Sequence, residues 1–266
     1  MKVVILCGGA GTRIRQATED IPKPMIKIGG YPILWHIMKY YAHFGHNKFI
    51  LCLGYKGEVI KDYFLKYETE ARDFTIRLGD AEPIFYHTKH DEAGWEITLV
   101  DTGLSAMTGA RIKKTQQYLI GEENFMLTYG DGLGDIDLDK VMAFHFAHKK
   151  TLTVTGVSPP GRFGVLCSDS LGVVTSFQEK PPTSAGRISG GFFLCHQRLF
   201  DYLDDRDDLV FEDEPLRRLV EDRQMMVYEH NGFWQPMDTY SEFLLLKELY
   251  DHGRAPWMIW KTQSDD

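Results

Sequence analysis

Strand-like and helix-like segments alternate along this chain from its first residues, and the alternation opens on a glycine turn. Residues 2–7 form a short apolar β-type run that ends in Gly8-Gly9-Ala10-Gly11-Thr12-Arg13. Helical periodicity follows over 33–44, a β-like run over 48–53, and a helix over 58–66. A strand over 123–128, a helix over 138–149 and a β-branched run over 151–157 continue the pattern. Strands that alternate with helices bury both faces of a sheet, so the expectation is an α/β fold: a Rossmann-like, mainly parallel sheet flanked by helices. The later half changes character. Residues 163–166, 173–178 and 191–195 are short strands between Gly and Pro turns, which predicts antiparallel additions in the C-terminal half. Residues 214–222 and 240–250 read as helices. Residues 67–95 are polar and irregular, either a flexible lid or a surface excursion.

Charge and cysteine usage narrow the function classes. Thirty Lys and Arg stand against 38 Asp and Glu, a formal net charge of −8. Such a surface repels nucleic acid and anionic lipid, so neither a nucleic-acid nor a membrane partner is expected. A small anionic substrate remains compatible, because a local cluster of Arg and Lys overrides the global sign. No apolar run approaches the ~20 residues that span a bilayer, and the apolar start is too short for a signal peptide. The four cysteines, Cys7, Cys52, Cys167 and Cys195, are widely spaced and form no CxxC pair. They read as buried, reduced thiols of a cytoplasmic protein, not as a zinc site or disulfide framework. None of the ten histidines forms a metal-spaced pair with an obvious third ligand, and no Ser-His-Asp or Cys-His arrangement is visible.

Glycines after a parallel strand allow backbone N–H groups to approach phosphates closely. Taken alone the turn is also compatible with a tight strand-to-helix connection that binds nothing. Two common phosphate motifs fail here on specific residues: a dinucleotide fingerprint starting at Gly9 needs glycine where Ile14 stands, and a Walker loop needs Gly-Lys-Ser/Thr. Arg13 and Lys23 then bracket a polar segment leading into Pro22-Lys23-Pro24-Met25. The prolines stiffen the backbone around Lys23, and a rigidly held cation near a glycine loop suits a triphosphate. Two distant aspartates stand out as well. Asp131 follows an apolar strand in Thr128-Tyr129-Gly130-Asp131-Gly132, and Asp238 lies in Gln235-Pro236-Met237-Asp238-Thr239. A carboxylate at the carboxyl end of a parallel strand sits where α/β sheets place ligands, and two carboxylates can hold Mg²⁺. Equally, Asp131 can be a turn residue and Asp238 a helix cap.

Gly-Gly-x-Gly-Thr-Arg followed by Lys-Pro-Met resembles the signature of the sugar-1-phosphate nucleotidyltransferases, also called nucleoside-diphosphate-sugar pyrophosphorylases. Gly54-Tyr55-Lys56-Gly57, Met107-Thr108-Gly109, Pro159-Pro160-Gly161-Arg162-Phe163-Gly164, Ser176-Phe177-Gln178-Glu179-Lys180-Pro181 and Phe233-Trp234-Gln235-Pro236-Met237-Asp238-Thr239 are similar to its cytidylyl branch. The likeness covers nearly the whole chain and is weakest over 67–95. It implies a fold of the nucleotide-diphospho-sugar transferase type in one domain over 1–266. The nucleotide part would span about 1–135 and the sugar-phosphate part about 136–266. It implies transfer of a cytidylyl group from CTP to glucose 1-phosphate, giving CDP-glucose and pyrophosphate, with Mg²⁺ as cofactor. Small molecules are then the substrates, and a homo-oligomer is the expected assembly.

The same resemblance assigns roles to residues. Leu6, Cys7, Gly8, Gly9, Ala10, Gly11, Thr12, Arg13, Lys23, Ala106, Arg111 and Gly130 would contact the nucleotide. Asp131 and Asp238 would hold the metal and, with Arg13 and Lys23, form the catalytic set. Glu179, Lys180 and Gly191 would take the sugar phosphate. For Arg111, donation to O2 and N3 of cytosine is the implied role, and an arginine on an amphipathic helix is the alternative. A surface ion pair is the alternative for Glu179 and Lys180. Two positions depart from the pattern: Ala106 stands where the cytidylyl branch has serine, and Ser189 stands where Asn is frequent.

Overall fold

The computed structural model describes residues 1–9, 21–78, 84–158, 165–168, 174–178 and 186–260. Ala10, Gly11, Thr12, Arg13, Glu179 and Lys180, together with the segment 159–164, lie outside them.

The chain begins with β1 (Lys2–Leu6), β2 (Lys27–Ile28), β3 (Tyr31–Pro32), α1 (Ile33–His43), β4 (Lys48–Leu53) and α2 (Gly57–Ala71). It continues with β5 (Phe74–Thr75), β6 (Phe85–Tyr86), β7 (Glu96–Asp101), α3 (Thr108–Lys114), β8 (Asn124–Tyr129), β9 (Gly132–Gly134) and α4 (Leu138–His148). The remaining elements are β10 (Leu152–Val157), β11 (Val165–Ser168), β12 (Val174–Gln178), β13 (Ile188–His196), α5 (Glu214–Glu221), β14 (Met225–His230), β15 (Trp234–Pro236) and α6 (Tyr240–Asp251).

Seven strands form the central sheet in the order β14-β10-β13-β8-β1-β4-β7. The pairs β8/β1, β1/β4, β4/β7 and β10/β14 are parallel, whereas β13 runs antiparallel to both β8 and β10. The antiparallel character expected of the later half thus enters the sheet as an inserted strand. β11 and β12 add an antiparallel hairpin outside it.

β1 reads as a continuous apolar run because both of its faces are covered. Val3 and Ile5 belong to a core formed with α1, α4, α6 and Trp257, and Val4 and Leu6 to a core formed with α3, α5 and the segment Gln197–Tyr202. Within 67–95 the described residues include two regular pieces, and the rest are turns and irregular backbone. α2 continues to Ala71, and β5 and β6 pair as a small hairpin.

The strand order places the site. From β1 the chain proceeds to β4 and β7 on one side, while β8 lies on the other. The carboxyl ends of β1 and β8 therefore flank a topological switch point, where open α/β sheets form their ligand crevice. Leu6-Cys7-Gly8-Gly9 leaves one of these ends and Gly130-Asp131 the other.

Candidate active site

Lys23 is held by backbone geometry before its side chain contributes. Pro22 is extended (φ −71°), and Lys23–Met25 form a single 3-10 turn closed by Met25 N–H donating to the Pro22 carbonyl (2.8 Å). The turn directs a mostly buried lysine inward, and its Nζ donates to Asp131 Oδ2 and to Asp238 Oδ1, each at 2.6 Å. Burial alone would lower the Lys23 pKa. The two carboxylates overcome that penalty and hold it above its ordinary value, so the ammonium stays charged.

The two aspartates meet because a short ladder brings them together. β9 pairs antiparallel with β15 in the register Gly132↔Pro236, Leu133↔Gln235, Gly134↔Trp234. Asp131 precedes β9 and Asp238 follows β15, so the ladder sets them side by side, and Met237 N–H donates to the Asp131 carbonyl (2.9 Å). Asp238 is further fixed by the start of α6. Glu242 Oε2 accepts from the backbone N–H of both Asp238 and Thr239 (2.8 Å each), and Thr239 Oγ1 accepts from Glu242 N–H (3.3 Å), a capping box. The cap reading of this segment holds for Thr239, which leaves the Asp238 carboxylate free for Lys23.

The cluster lies between two cavities. One, of about 450 Å³, is lined by Leu6, Cys7, Gly8, Gly9, Lys23, Pro24, residues 104–108, Arg111, Tyr129, Gly130, Asp131 and Asp238. The other, of about 240 Å³, is lined by residues 128–129, Asp131, Gly132, residues 189–191, Trp234, Pro236 and Asp238. Tyr129, Asp131 and Asp238 belong to both. Every described residue expected at the nucleotide lines the larger cavity, and Gly191, expected at the sugar phosphate, lines the smaller one. Gly191 has φ +76°, and a Cβ there would sit 2.4 Å from Tyr129 Cδ2, so only glycine fits against that ring.

Arg111 is buried at 5% exposure in the wall of the larger cavity. Its Nη1 donates to Leu53 O (2.9 Å), Thr102 Oγ1 (2.6 Å) and Gly103 O (2.9 Å), and its Nη2 to Gly8 O (3.2 Å) and Leu104 O (3.4 Å). The guanidinium therefore ties the glycine turn to the 103–106 loop. It stands on α3, as the helix alternative had it, but faces inward onto protein carbonyls instead of solvent. Gly8 has a matching constraint, since a Cβ there would lie 2.2 Å from Arg111 Nη1.

Among the described residues at the two cavities, the thiol and phenol groups stay neutral. Burial, then the neighbouring Cys52 and Asp131, push the Cys7 thiol well up, so it stays neutral at the cavity wall. Cys52 and Cys195 are likewise free and buried, as the sequence suggested. The Tyr129 hydroxyl donates to Glu212, which also accepts from Thr108 Oγ1 (2.5 Å). Burial and the Glu212 charge raise the Tyr129 pKa far above its usual value. Tyr129 and Trp234 were not singled out from the sequence, because an aromatic beside a strand reads first as core. The signal available was their place within motifs that also carry Asp131 and Asp238. Trp234 Nε1 donates to Gly190 O (2.8 Å) and so shapes the smaller cavity.

The donor set suits a divalent cation. Two carboxylates already converge on one cationic group, and hard cations such as Mg²⁺ are bound by one or two carboxylates plus phosphate oxygens. Among the described residues, no three His, Cys, Asp or Glu side chains converge as a closed metal cage. No described helix is long and apolar enough to cross a membrane.

Residues 2–246 match the family described as Nucleotidyl transferase. The chain is 46% identical over 261 residues to a glucose-1-phosphate cytidylyltransferase of Salmonella typhi, covering 98% of this chain and all of that one. It is equally similar, 46% over 261 residues with the same coverage, to a glucose-1-phosphate cytidylyltransferase of Salmonella typhimurium. Among solved structures, HddC from Yersinia pseudotuberculosis complexed with GMP-PN superposes with a TM-score of 0.68. That match has 24% identity over 94% of this chain and 99% of that one, and it speaks to the fold alone.

Proposed function

The chain belongs to the nucleotidyl transferase family, and from that premise we propose that it transfers the cytidylyl group of CTP to glucose 1-phosphate, releasing pyrophosphate and giving CDP-glucose. The observation that carries this reading is the Lys23–Asp131–Asp238 cluster, whose two aspartates stand on the wall shared by two cavities of unequal size and whose lysine lines the larger. The larger cavity suits a nucleotide and the smaller a sugar phosphate. A phosphate oxygen of glucose 1-phosphate attacks the α-phosphorus of CTP in line. A new P–O bond forms as the bond to the β-phosphate bridging oxygen breaks, and pyrophosphate leaves with that electron pair.

Such a transfer depends on positioning and charge neutralisation more than on covalent catalysis. Asp131 and Asp238 would hold a divalent cation, Mg²⁺, which supplies charge neutralisation between the two anionic substrates. Lys23 stays charged and stands at the reacting centre, where it bridges phosphates. Arg13 and the backbone of residues 8–12 are assigned to the triphosphate. Glu179 and Lys180 are assigned to the sugar phosphate together with Gly191. Arg111 serves base recognition by holding the 103–106 loop, including Ala106, in place; its terminal nitrogens donate to protein oxygens.

Incubating the protein with CTP, glucose 1-phosphate and Mg²⁺ tests the proposal. CDP-glucose and pyrophosphate are expected in equal amounts. Asp131→Ala and Asp238→Ala should each lower turnover about 100-fold or more, because each removes charge stabilisation at the reacting centre. Release of phosphate with CDP, or unimpaired turnover in excess EDTA, contradicts the reading.

A further inference from the structure

Asp131 and Asp238 are the carboxylates proposed to bind the cation, yet both are already engaged by one lysine at 2.6 Å. The Lys23 side chain is only 11% exposed, whereas those of Asp131 and Asp238 are 32% and 36% exposed. A divalent ion held by both carboxylates needs oxygens at about 2.0–2.1 Å, so it occupies the same few ångströms as the ammonium. The two cations repel each other, and the carboxylates cannot close on both. A displaced, desolvated ammonium is costly unless another anion receives it. Lys23 lines the larger cavity, where the triphosphate is proposed to lie.

We propose that Lys23 is an internal counter-cation that competes with the metal for Asp131 and Asp238, so that the metal binds these carboxylates well only when nucleotide phosphates draw Lys23 away. The inference rests on the proposed reading of the two aspartates as metal carboxylates. Lys23 then has two successive partners. It neutralises the aspartate pair before substrate arrives and the phosphates afterwards. Metal and nucleotide become positively coupled, and the coupling is reciprocal, each tightening the other by the same factor. The linkage keeps the cation from settling on the protein unless the polyanion that it must neutralise is also there.

The test uses Mn²⁺ alone, followed by its electron paramagnetic resonance signal and by calorimetry, on the full chain without nucleotide. Lys23→Met keeps an unbranched, flexible side chain one atom shorter and removes its charge. It should bind one Mn²⁺ about tenfold or more tightly than the unmodified protein. Adding Asp131→Asn to that variant should abolish the gain. Thermal melting gives a second readout: without metal the Lys23→Met protein should melt lower, because two carboxylates face each other unneutralised, and Mn²⁺ should restore it. Lys23→Gln serves if the methionine variant does not fold. Equal Mn²⁺ affinity in the unmodified and Lys23 variants, with binding still lost in Asp131→Asn, overturns the competition and leaves the metal assignment standing. No Mn²⁺ binding in any variant overturns both.

Discussion

Arg111 shows how one side chain sets both the shape and the stability of the site. Five protein oxygens accept from its two terminal nitrogens, four of them backbone carbonyls drawn from three separate segments: the glycine turn, the end of β4 and the 103–104 loop. Removing it takes a donor from all five: Leu53 O keeps Thr102 N–H and Oγ1–H and Gly8 O keeps Tyr55 N–H, whereas the Gly103 and Leu104 carbonyls lose theirs, at a cost of about 1–3 kcal/mol for each group left unsatisfied that water does not reach. Arg111→Ala is therefore expected to lower Tm clearly and to weaken CTP and UTP together, since the whole wall relaxes. Melting curves together with kcat/KM for both nucleotides check this. An unchanged Tm with a selective loss of CTP would instead make Arg111 a direct reader of the base. The sequence identified this arginine but not its partners, because those come from positions 8, 53 and 102–104 and only the tertiary fold assembles them. Lys23 was legible for a local reason, its flanking prolines. That it meets Asp131 and Asp238 at once was not, since the three lie on separate segments.

At the scale of elements, α6 carries information into the site through its cap. Glu242 closes the capping box and at the same time accepts from the backbone of Asp238. Thr239→Ala should cost about 1 kcal/mol of stability through the lost cap alone. Glu242→Ala should cost a similar amount and, in addition, lower kcat, because the backbone that carries Asp238 loses its anchor. Glu242→Gln keeps an acceptor and should recover much of the activity. Equal kcat in Thr239→Ala and Glu242→Ala, with equal loss of stability, would show that the cap has no reach into the site. Buried elements were the readable ones: β4 was expected at its observed bounds, and α1 and α4 within one residue of theirs. β14 and β7 were not read as strands. They are the two edges of the sheet, mostly half-exposed, and lack the unbroken apolar run of β1. The ladder of β9 with β15 was also missed. One of its three-residue strands is Gly-Leu-Gly and the other ends in Pro, which in sequence reads as turn. That ladder is what brings the two aspartates together.

For the whole molecule, the sheet order accounts for the crevice, and two buried histidines create a liability in acid. His46, in the loop before β4, and His145, on α4, are buried with rings that remain neutral. Burial, with the N-terminal charge adding to it and Asp139 opposing it, lowers His46 to about 4. Burial, then His148 and His196, lowers His145 to about 4. Below the ordinary value of 6.5, the unfolded chain takes up protons that the folded chain refuses. The stability present above that pH is thus lost progressively as pH falls through it, and the loss levels off near 4. At the acid limit this amounts to at most about 3 kcal/mol for each ring, reduced by whatever solvent screening reaches it. His46→Leu should flatten the decline of Tm between these pH values without lowering Tm at pH 7, because neither ring nitrogen of His46 has a hydrogen-bond partner among the described residues. An unchanged acid limb in that variant would assign the loss to other groups. Cytidylyl transfer across the Lys23–Asp131–Asp238 cluster is checked by measuring kcat/KM for CTP, UTP, dTTP and GTP side by side with glucose 1-phosphate. CTP is expected to exceed every other nucleotide by about tenfold or more, as when a site built to hydrogen-bond one base edge rejects another. A second nucleotide used as well as CTP, or no pyrophosphate released from any, would contradict it.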